Sequence, residues 1–236
     1  IKLDKFSISD YKLDFGLQYT YKLNKKNTIN VGAVYTLGHT LHGDAYKYHQ
    51  TGTESNGSIY VQSQTGDTIP NPFKMPHTFG IGLTYVYDNR LTIGVDYTLQ
   101  KWNTADLAWS KFNKESVEMN SRTKIAFGAE FVPSYISHNY LKRIRYRMGA
   151  YYSSPYNKVS YTSPDTGTTS FQDGAREYGV SIGFGLPMFQ SKSMLNISGQ
   201  YIKVSPKFKG LMEENYLRIN IGLTFNERWF MKWKVD

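Results

Sequence analysis

Tyr178-Gly179-Val180-Ser181-Ile182-Gly183-Phe184-Gly185-Leu186 is the stretch on which the fold turns. Side chains of a strand alternate between two faces. Tyr178, Val180, Ile182, Phe184 and Leu186 therefore fall on one face, and Gly179, Ser181, Gly183 and Gly185 on the other. A strand burying its bulky side in a soluble core would turn Lys, Glu and Thr outward, and glycine is a poor solvated strand residue. The pattern fits a strand whose bulky face meets lipid and whose small, polar face lines a barrel interior.

The same phrase recurs along the chain: apolar, small, apolar, any residue, then Tyr or Phe. It reads Phe15-Gly16-Leu17-Gln18-Tyr19, Val31-Gly32-Ala33-Val34-Tyr35, Ile81-Gly82-Leu83-Thr84-Tyr85, and Ile93-Gly94-Val95-Asp96-Tyr97. It returns as Phe127-Gly128-Ala129-Glu130-Phe131, Met148-Gly149-Ala150-Tyr151-Tyr152, Ile197-Ser198-Gly199-Gln200-Tyr201 and Ile221-Gly222-Leu223-Thr224-Phe225. Period-2 segments around these phrases predict nine strands over 11–23, 27–41, 77–87, 90–102, 121–132, 142–153, 176–187, 193–204 and 214–226. Segments of about 10–13 residues suit tilted strands crossing a hydrocarbon layer. The expected fold is all-β: a transmembrane antiparallel β-barrel of which about nine strands are present.

Composition supports this reading by exclusion. The 236 residues contain no cysteine, which removes disulfides, thiolate metal sites and a cysteine nucleophile. Mean hydropathy is −0.50 and no long apolar run exists, so transmembrane helices are not expected. Membrane barrels score as hydrophilic all the same, because their apolar residues stand at every second position. The 28 Lys+Arg against 19 Asp+Glu are scattered rather than gathered on one face, which argues against nucleic acid. The +9 charge suits outer-membrane lipids and phosphate-rich lipopolysaccharide. Gly179-Val180-Ser181-Ile182-Gly183 matches a hydrolase phrase but lies in an alternating strand rather than a strand-to-helix elbow. His39, His42 and His49 cluster in sequence, but 39 and 42 would fall on opposite faces of a strand, so they are expected to be loop residues rather than a metal site. No enzyme activity, cofactor or metal is expected.

Connections alternate short (24–26, 88–89, 134–141, 188–192) and long (42–76, 103–120, 154–175, 205–213). Outer-membrane barrels keep short turns periplasmic and long loops extracellular. Asp88-Asn89 suits a two-residue type I′ turn. Nine strands that begin outside and end in the periplasm imply an odd number upstream, since single-chain barrels have even strand numbers. The chain is then expected to be the C-terminal part of one outer-membrane barrel over 1–226. A periplasmic aromatic and basic tail follows over 227–236, including Trp229, Phe230, Lys232 and Trp233.

Several stretches carry a family resemblance. Pro76-His77-Thr78-Phe79-Gly80-Ile81-Gly82-Leu83-Thr84-Tyr85, Arg145-Tyr146-Arg147-Met148-Gly149-Ala150-Tyr151-Tyr152 and Asn226-Glu227-Arg228-Trp229-Phe230 resemble the FadL/TodX outer-membrane transport family, Bacteroidetes branch. That resemblance implies a 14-stranded barrel with an N-terminal hatch, passing hydrophobic or amphipathic small molecules. It also implies an alternative, because some relatives scaffold larger outer-membrane complexes for protein secretion or barrel assembly. A hydrophobic ligand and protein partners are the two classes of partner expected.

The charged residues on the small face are the candidate site: Arg143, Arg145, Arg147, Arg218, Arg122, Lys124, Glu130 and Asp96. An arginine facing lipid at the midplane would cost about 2–4 kcal/mol, so these side chains are expected to face the lumen. Glu130 should lie opposite one of the arginines across the turn after Pro133. Such a set either attracts anionic solutes, with arginine as a bidentate donor, or ties neighbouring strands in an Arg–Glu ladder.

Overall fold

A computed structural model of the chain describes residues 2–55, 58–104, 118–162, 167–188, 193–206 and 212–225. Fourteen strands run in chain order among them. They are β1 (Lys2–Ile8), β2 (Asp14–Lys22), β3 (Asn27–Thr36), β4 (Gly43–Ser55), β5 (Ser58–Pro70), β6 (Thr78–Tyr87) and β7 (Leu91–Gln100). After these come β8 (Arg122–Phe131), β9 (Arg145–Ser153), β10 (Lys158–Thr162), β11 (Thr169–Asp173), β12 (Arg176–Pro187), β13 (Met194–Ser205) and β14 (Glu214–Thr224). The tail over 227–236 lies outside the described residues.

All nine expected strands are present, and they form one antiparallel sheet in the order β14-β13-β12-β9-β8-β7-β6-β3-β2. Each strand pairs with the next of the nine, as alternating short and long connections require. The edges β2 and β14 are not paired with each other, so the described sheet is open rather than a closed barrel. Register aligns the two residue classes in rows across the sheet. One row reads Tyr19, Val31, Leu83, Val95, Phe127, Ala150, Val180, Tyr201, Leu217. The neighbouring row on the other face reads Thr20, Asn30, Thr84, Gly94, Gly128, Gly149, Ser181, Gln200, Arg218. A one-residue slip in any strand would mix the two classes, so the faces themselves specify the register.

The turns are built for sharp reversal. Asp88 and Asn89 both have positive φ, 50° and 54°, and Arg90 N donates to Tyr87 O at 2.8 Å. This is the type I′ geometry expected there, whose twist matches that of the flanking strands. The connection between β8 and β9 is more structured than a plain loop. Val132 N donates to Arg90 O, Ser134 N to Lys142 O, and the Asn139 side chain caps a short 3₁₀ turn over Tyr140–Arg143. This turn, together with the extended Ile144 at its end, moves the start of β9 to Arg145, three residues later than the sequence pattern predicts.

The long connections are where the sequence reading is incomplete. Residues 42–76 fold into the β4–β5 hairpin, and β1 pairs along β4 to give a three-stranded sheet in the order β1-β4-β5. The connection over 154–175 folds into the β10–β11 hairpin, tied down by Met119↔Asn157 and by Lys158 Nζ on Glu118 at 2.7 Å.

The two sheets meet at a neck made by residues 9–13 and 37–42. There the Asp10 carboxylate accepts backbone N–H bonds from Tyr11 (2.8 Å) and His42 (2.6 Å). It also meets His39 Nε2 and His42 Nδ1, each at 3.2 Å. The strand ends at Thr36, so His39 and His42 are loop residues as expected, and the loop turns both onto one carboxylate. Tyr11 stacks on the His39 ring at 4.7 Å between centroids. The Asp10 side chain is only 5% exposed, and its bonds from backbone N–H groups hold the carboxyl well below the ordinary value of 3.8. A depressed value means that the clamp is fully formed above 3.8 and is lost only as pH falls below it. Asp10→Ala is expected to speed amide exchange at Tyr11 and His42 by about tenfold or more while the nine-stranded sheet stays protected. Opening of the neck in the native protein already at about pH 5 would contradict the assignment.

Candidate functional site: an apolar belt backed by a charged ladder

On one face of the nine-stranded sheet the large apolar side chains stand uncovered. Leu17 is 76% exposed, Ile182 60% and Leu217 77%, and similar residues continue across every strand between them. Monomeric soluble proteins rarely leave more than a few hundred Å² of contiguous apolar surface bare. Among the described residues, the buried apolar core consists of Ala45, Ile69, Val132, Ile144 and Ile202, too little to organise a soluble domain of this size.

Aromatic residues mark both margins of this belt. Phe15 and Tyr21, Phe79 and Tyr85, Tyr146 and Tyr152, and Tyr178 and Phe184 are pairs on the same strand, each six residues apart. That separation is about 20 Å along a strand. Rings from adjacent strands touch within each margin: Tyr35–Phe79 at 5.1 Å and Tyr152–Tyr178 at 5.2 Å towards the long connections, Tyr146–Phe184 at 5.9 Å towards the short turns. Two aromatic bands flanking an apolar strip match the girdles of strands that cross a bilayer.

The opposite face carries the charges. Glu130 is in register with Arg147, one of the arginines it was expected to face, and its two oxygens are shared. Arg145 Nη1 donates to Oε1 at 3.0 Å, and Arg147 Nε donates to Oε2 at 2.6 Å. Arg147 Nη1 continues to Asn196 Oδ1 at 2.8 Å, and Asn196 Nδ2 to Thr224 Oγ1 at 3.3 Å. The chain of bonds thus runs from β8 through β9 and across β12 to β13 and β14. Crossing β12 needs room, which explains its glycines. Gly183 and Gly185 are the register partners of Arg147 and Arg145. A Cβ on Gly185 would stand 3.1 Å from Arg145 Cβ and 3.0 Å from Met194 Sδ. At Gly179 an added Cβ would fall within the Tyr151 ring, which lies across that position.

A second cluster sits nearer the long connections. Arg122 Nε donates to Ser153 Oγ at 2.8 Å, with Glu177 Oε2 4.0 Å from its guanidinium. The Tyr151 hydroxyl donates to Glu177 Oε1, and Lys124 Nζ sits 4.7 Å from the Tyr151 ring centroid. Arg218 lies in the glycine row opposite Gln200, and the Asp96 carboxylate lies over Gly82. Among the described residues neither Arg218 nor Asp96 forms an ion pair. Arg143 departs from the expected set. It belongs to the 3₁₀ turn rather than to β9, with its guanidinium 5.6 Å from the Tyr140 ring, because the strand begins only at Arg145. Ser181 of the hydrolase-like phrase is a mid-strand residue paired with Gly149 and Gln200. What sequence reasoning missed are the polar partners Asn196, Ser153 and Glu177. They stand on the small face by alternation, yet their pairing emerges only from the register between strands.

Comparison with known proteins corrects the family expectation. Searches of curated proteins and of solved structures each returned no match. The family model named BamG, a component of barrel assembly machinery, matches residues 1–236, and the FadL/TodX transport family does not match. The resemblance rested on architectural phrases, the small-residue and aromatic spacing that any barrel strand of this type needs, and these do not separate one barrel family from another. With it go the 14-strand count, the hatch and the passage of hydrophobic compounds that it implied. What stands is the other expectation, an outer-membrane-associated subunit of a barrel assembly complex with protein partners. Matched along its whole length, the chain belongs to the BamG family.

Proposed function

We propose that this chain is an integral outer-membrane β-barrel subunit that scaffolds a barrel assembly complex, without enzymatic activity and without a solute pathway of its own. The observation that carries the proposal is the family match over residues 1–236. In this reading the apolar belt is the lipid contact and the long connections are extracellular. The tail over 227–236 is a periplasmic anchor. The Arg–Glu–Asn chain supports a structural interior: Arg145 and Arg147 already share the Glu130 carboxylate, and Arg147 is further engaged by Asn196. Arginines committed in this way hold strands together rather than await a solute.

The test is depletion of the protein in its native cell. Other outer-membrane barrels should fall in abundance before any uptake defect appears. Unchanged barrel levels together with impaired uptake of fatty acids would overturn the scaffold reading.

A further inference from the structure

The belt side of the nine-stranded sheet carries a cationic patch at the margin nearest the long connections. Arg176 opens β12 and alternates with Tyr178, Val180 and Ile182, so its side chain stands on the belt side. Lys203 of β13 is in register with Tyr178, and Ser205 with Arg176, so both share that side. Ser154 follows Ser153, the register partner of Glu177, and so lies beside Arg176. Its Oγ accepts the Thr123 N–H at 2.8 Å, which leaves the hydroxyl proton available to donate. Just inside the patch is the tyrosine pair of the aromatic margin, Tyr152 and Tyr178, with ring centroids 5.2 Å apart. Arg176 is two residues beyond Tyr178, about 7 Å further along the strand. Among the described residues no hydrogen bond, ion pair or ring contact engages the Arg176 guanidinium. Arg122, Arg145 and Arg147 on the other face are all engaged. Lys203 Nζ meets Glu213 at 2.6 Å, with both side chains about half exposed. Glu177, the acid next to Arg176, faces the other way and takes the Tyr151 hydroxyl.

We propose that this patch holds a phosphate of lipopolysaccharide, with Arg176 as the bidentate donor, Lys203 as a second cation and the Ser154 and Ser205 hydroxyls beside them. A planar guanidinium matches two phosphate oxygens at once, whereas lysine acts as a point charge. Three observations favour a lipid over other occupants. The patch continues the apolar belt past its aromatic margin, which is headgroup depth in a bilayer. A second copy seated two-fold on the patch would bring Arg176 and Lys203 against the same cations. The chain's own next connection reads Lys207-Phe208-Lys209-Gly210-Leu211, two lysines and no acid, so it adds positive charge rather than neutralising it. The leaflet follows from the orientation proposed above, in which the long connections are extracellular and the lipid beside them is lipopolysaccharide. The site rests on that membrane reading and deepens it, from general lipid contact to one held lipid.

The test uses the full chain purified from native outer membranes in mild detergent with its partners retained. After bound lipid is exchanged out, lipopolysaccharide and its phosphate-stripped form are titrated back, and bound lipid is counted by native mass spectrometry. One lipopolysaccharide should be held through this patch per chain, and stripping its phosphates should weaken that binding about tenfold or more. Arg176→Gln should weaken it about tenfold as well, at unchanged melting temperature, because the side chain has no partner among the described residues. Lys142→Gln, in the 3₁₀ turn at the short-turn end, should leave binding as it is. A photo-crosslinking residue at Ser205 should link to lipopolysaccharide in native membranes. Equal binding of the phosphate-stripped form, full binding by Arg176→Gln, or equal binding of phosphatidylglycerol would each overturn the site. So would links from Ser205 only to another protein, to a second copy or to this chain itself. If the lipid fails to bind while the partners are retained, the site is wrong and the scaffold reading stands. If the partners are lost while phosphate-dependent binding through Arg176 persists, the scaffold reading is the one lost.

Discussion

Ile182→Lys is expected to destabilise the protein in membranes by about 2–4 kcal/mol and to lower its outer-membrane abundance sharply. Ile182 lies at the middle of β12, 60% exposed, between Met148 of β9 and Gly199 of β13. A lysine there stands within the apolar belt, two residues (about 7 Å) from Phe184 and four (about 13 Å) from Tyr178, so its stem has to lean towards the Phe184 margin to lower the cost. Two companion substitutions identify the cause. Ser181→Lys, one residue away on the opposite face, should cost less than about 1 kcal/mol, since the polar row there accommodates a cation. Tyr178→Lys, at the margin, should fall between the two, because the penalty in a bilayer declines towards the interfaces. Guanidinium titration of the three variants folded in lipid vesicles measures all of this. Equal penalties at positions 178 and 182 would mean that a protein surface, not a lipid gradient, covers the belt.

Glu130→Ala has the second largest expected effect. Glu130 is the shared acceptor of Arg145 and Arg147, so its removal leaves two guanidinium groups side by side without their carboxylate. Charge-assisted hydrogen bonds contribute about 1.5–3 kcal/mol each where desolvated. Here Glu130 is 25% exposed and the arginines 33% and 37%, so solvent screening reduces that figure and a loss of about 2 kcal/mol for the pair is expected. Adding Arg147→Ala should recover part of the loss, because it removes one of the two stranded charges, giving a coupling of about 1 kcal/mol in a double-mutant cycle. Melting of the four proteins in the same detergent tests it. Additive losses would show that the ladder is a coincidence of positions rather than a joined network.

The elements most legible in the sequence are those governed by a period of two. The nine strands of the large sheet, the identity of each face and the Asp88-Asn89 turn follow from alternation and turn chemistry alone. That Glu130 faces one of the arginines followed as well, though that the partner is Arg147 comes only from the register between β8 and β9. For β4 and β5 the composition left strand extensions as only one of several readings of 43–72, since Gly43–Ser55 and Ser58–Pro70 are rich in Thr, Ser, Gln and Gly and lack the alternating aliphatic face of the large sheet, and β1 was not read as a strand. Their stability comes from pairing with each other, which local pattern does not record. Arg143 illustrates another limit: it continues the alternation of Arg145 and Arg147, yet the Asn139-capped turn takes it out of the strand. The reach of Arg147 over Gly183 to Asn196 was hidden for the same kind of reason, as it depends on three strands at once. Architecture is therefore readable where one strand decides it. Family membership was not, because transport barrels and assembly barrels must satisfy the same lipid and register constraints.

The scaffold role is tested most directly by purifying the tagged full chain from native outer membranes in mild detergent and weighing the intact assembly. The account predicts that the chain is recovered in a fixed stoichiometric complex with other subunits of a barrel assembly complex, and that this complex survives washing at high salt. Recovery of the chain as a lone barrel holding only lipid would contradict it.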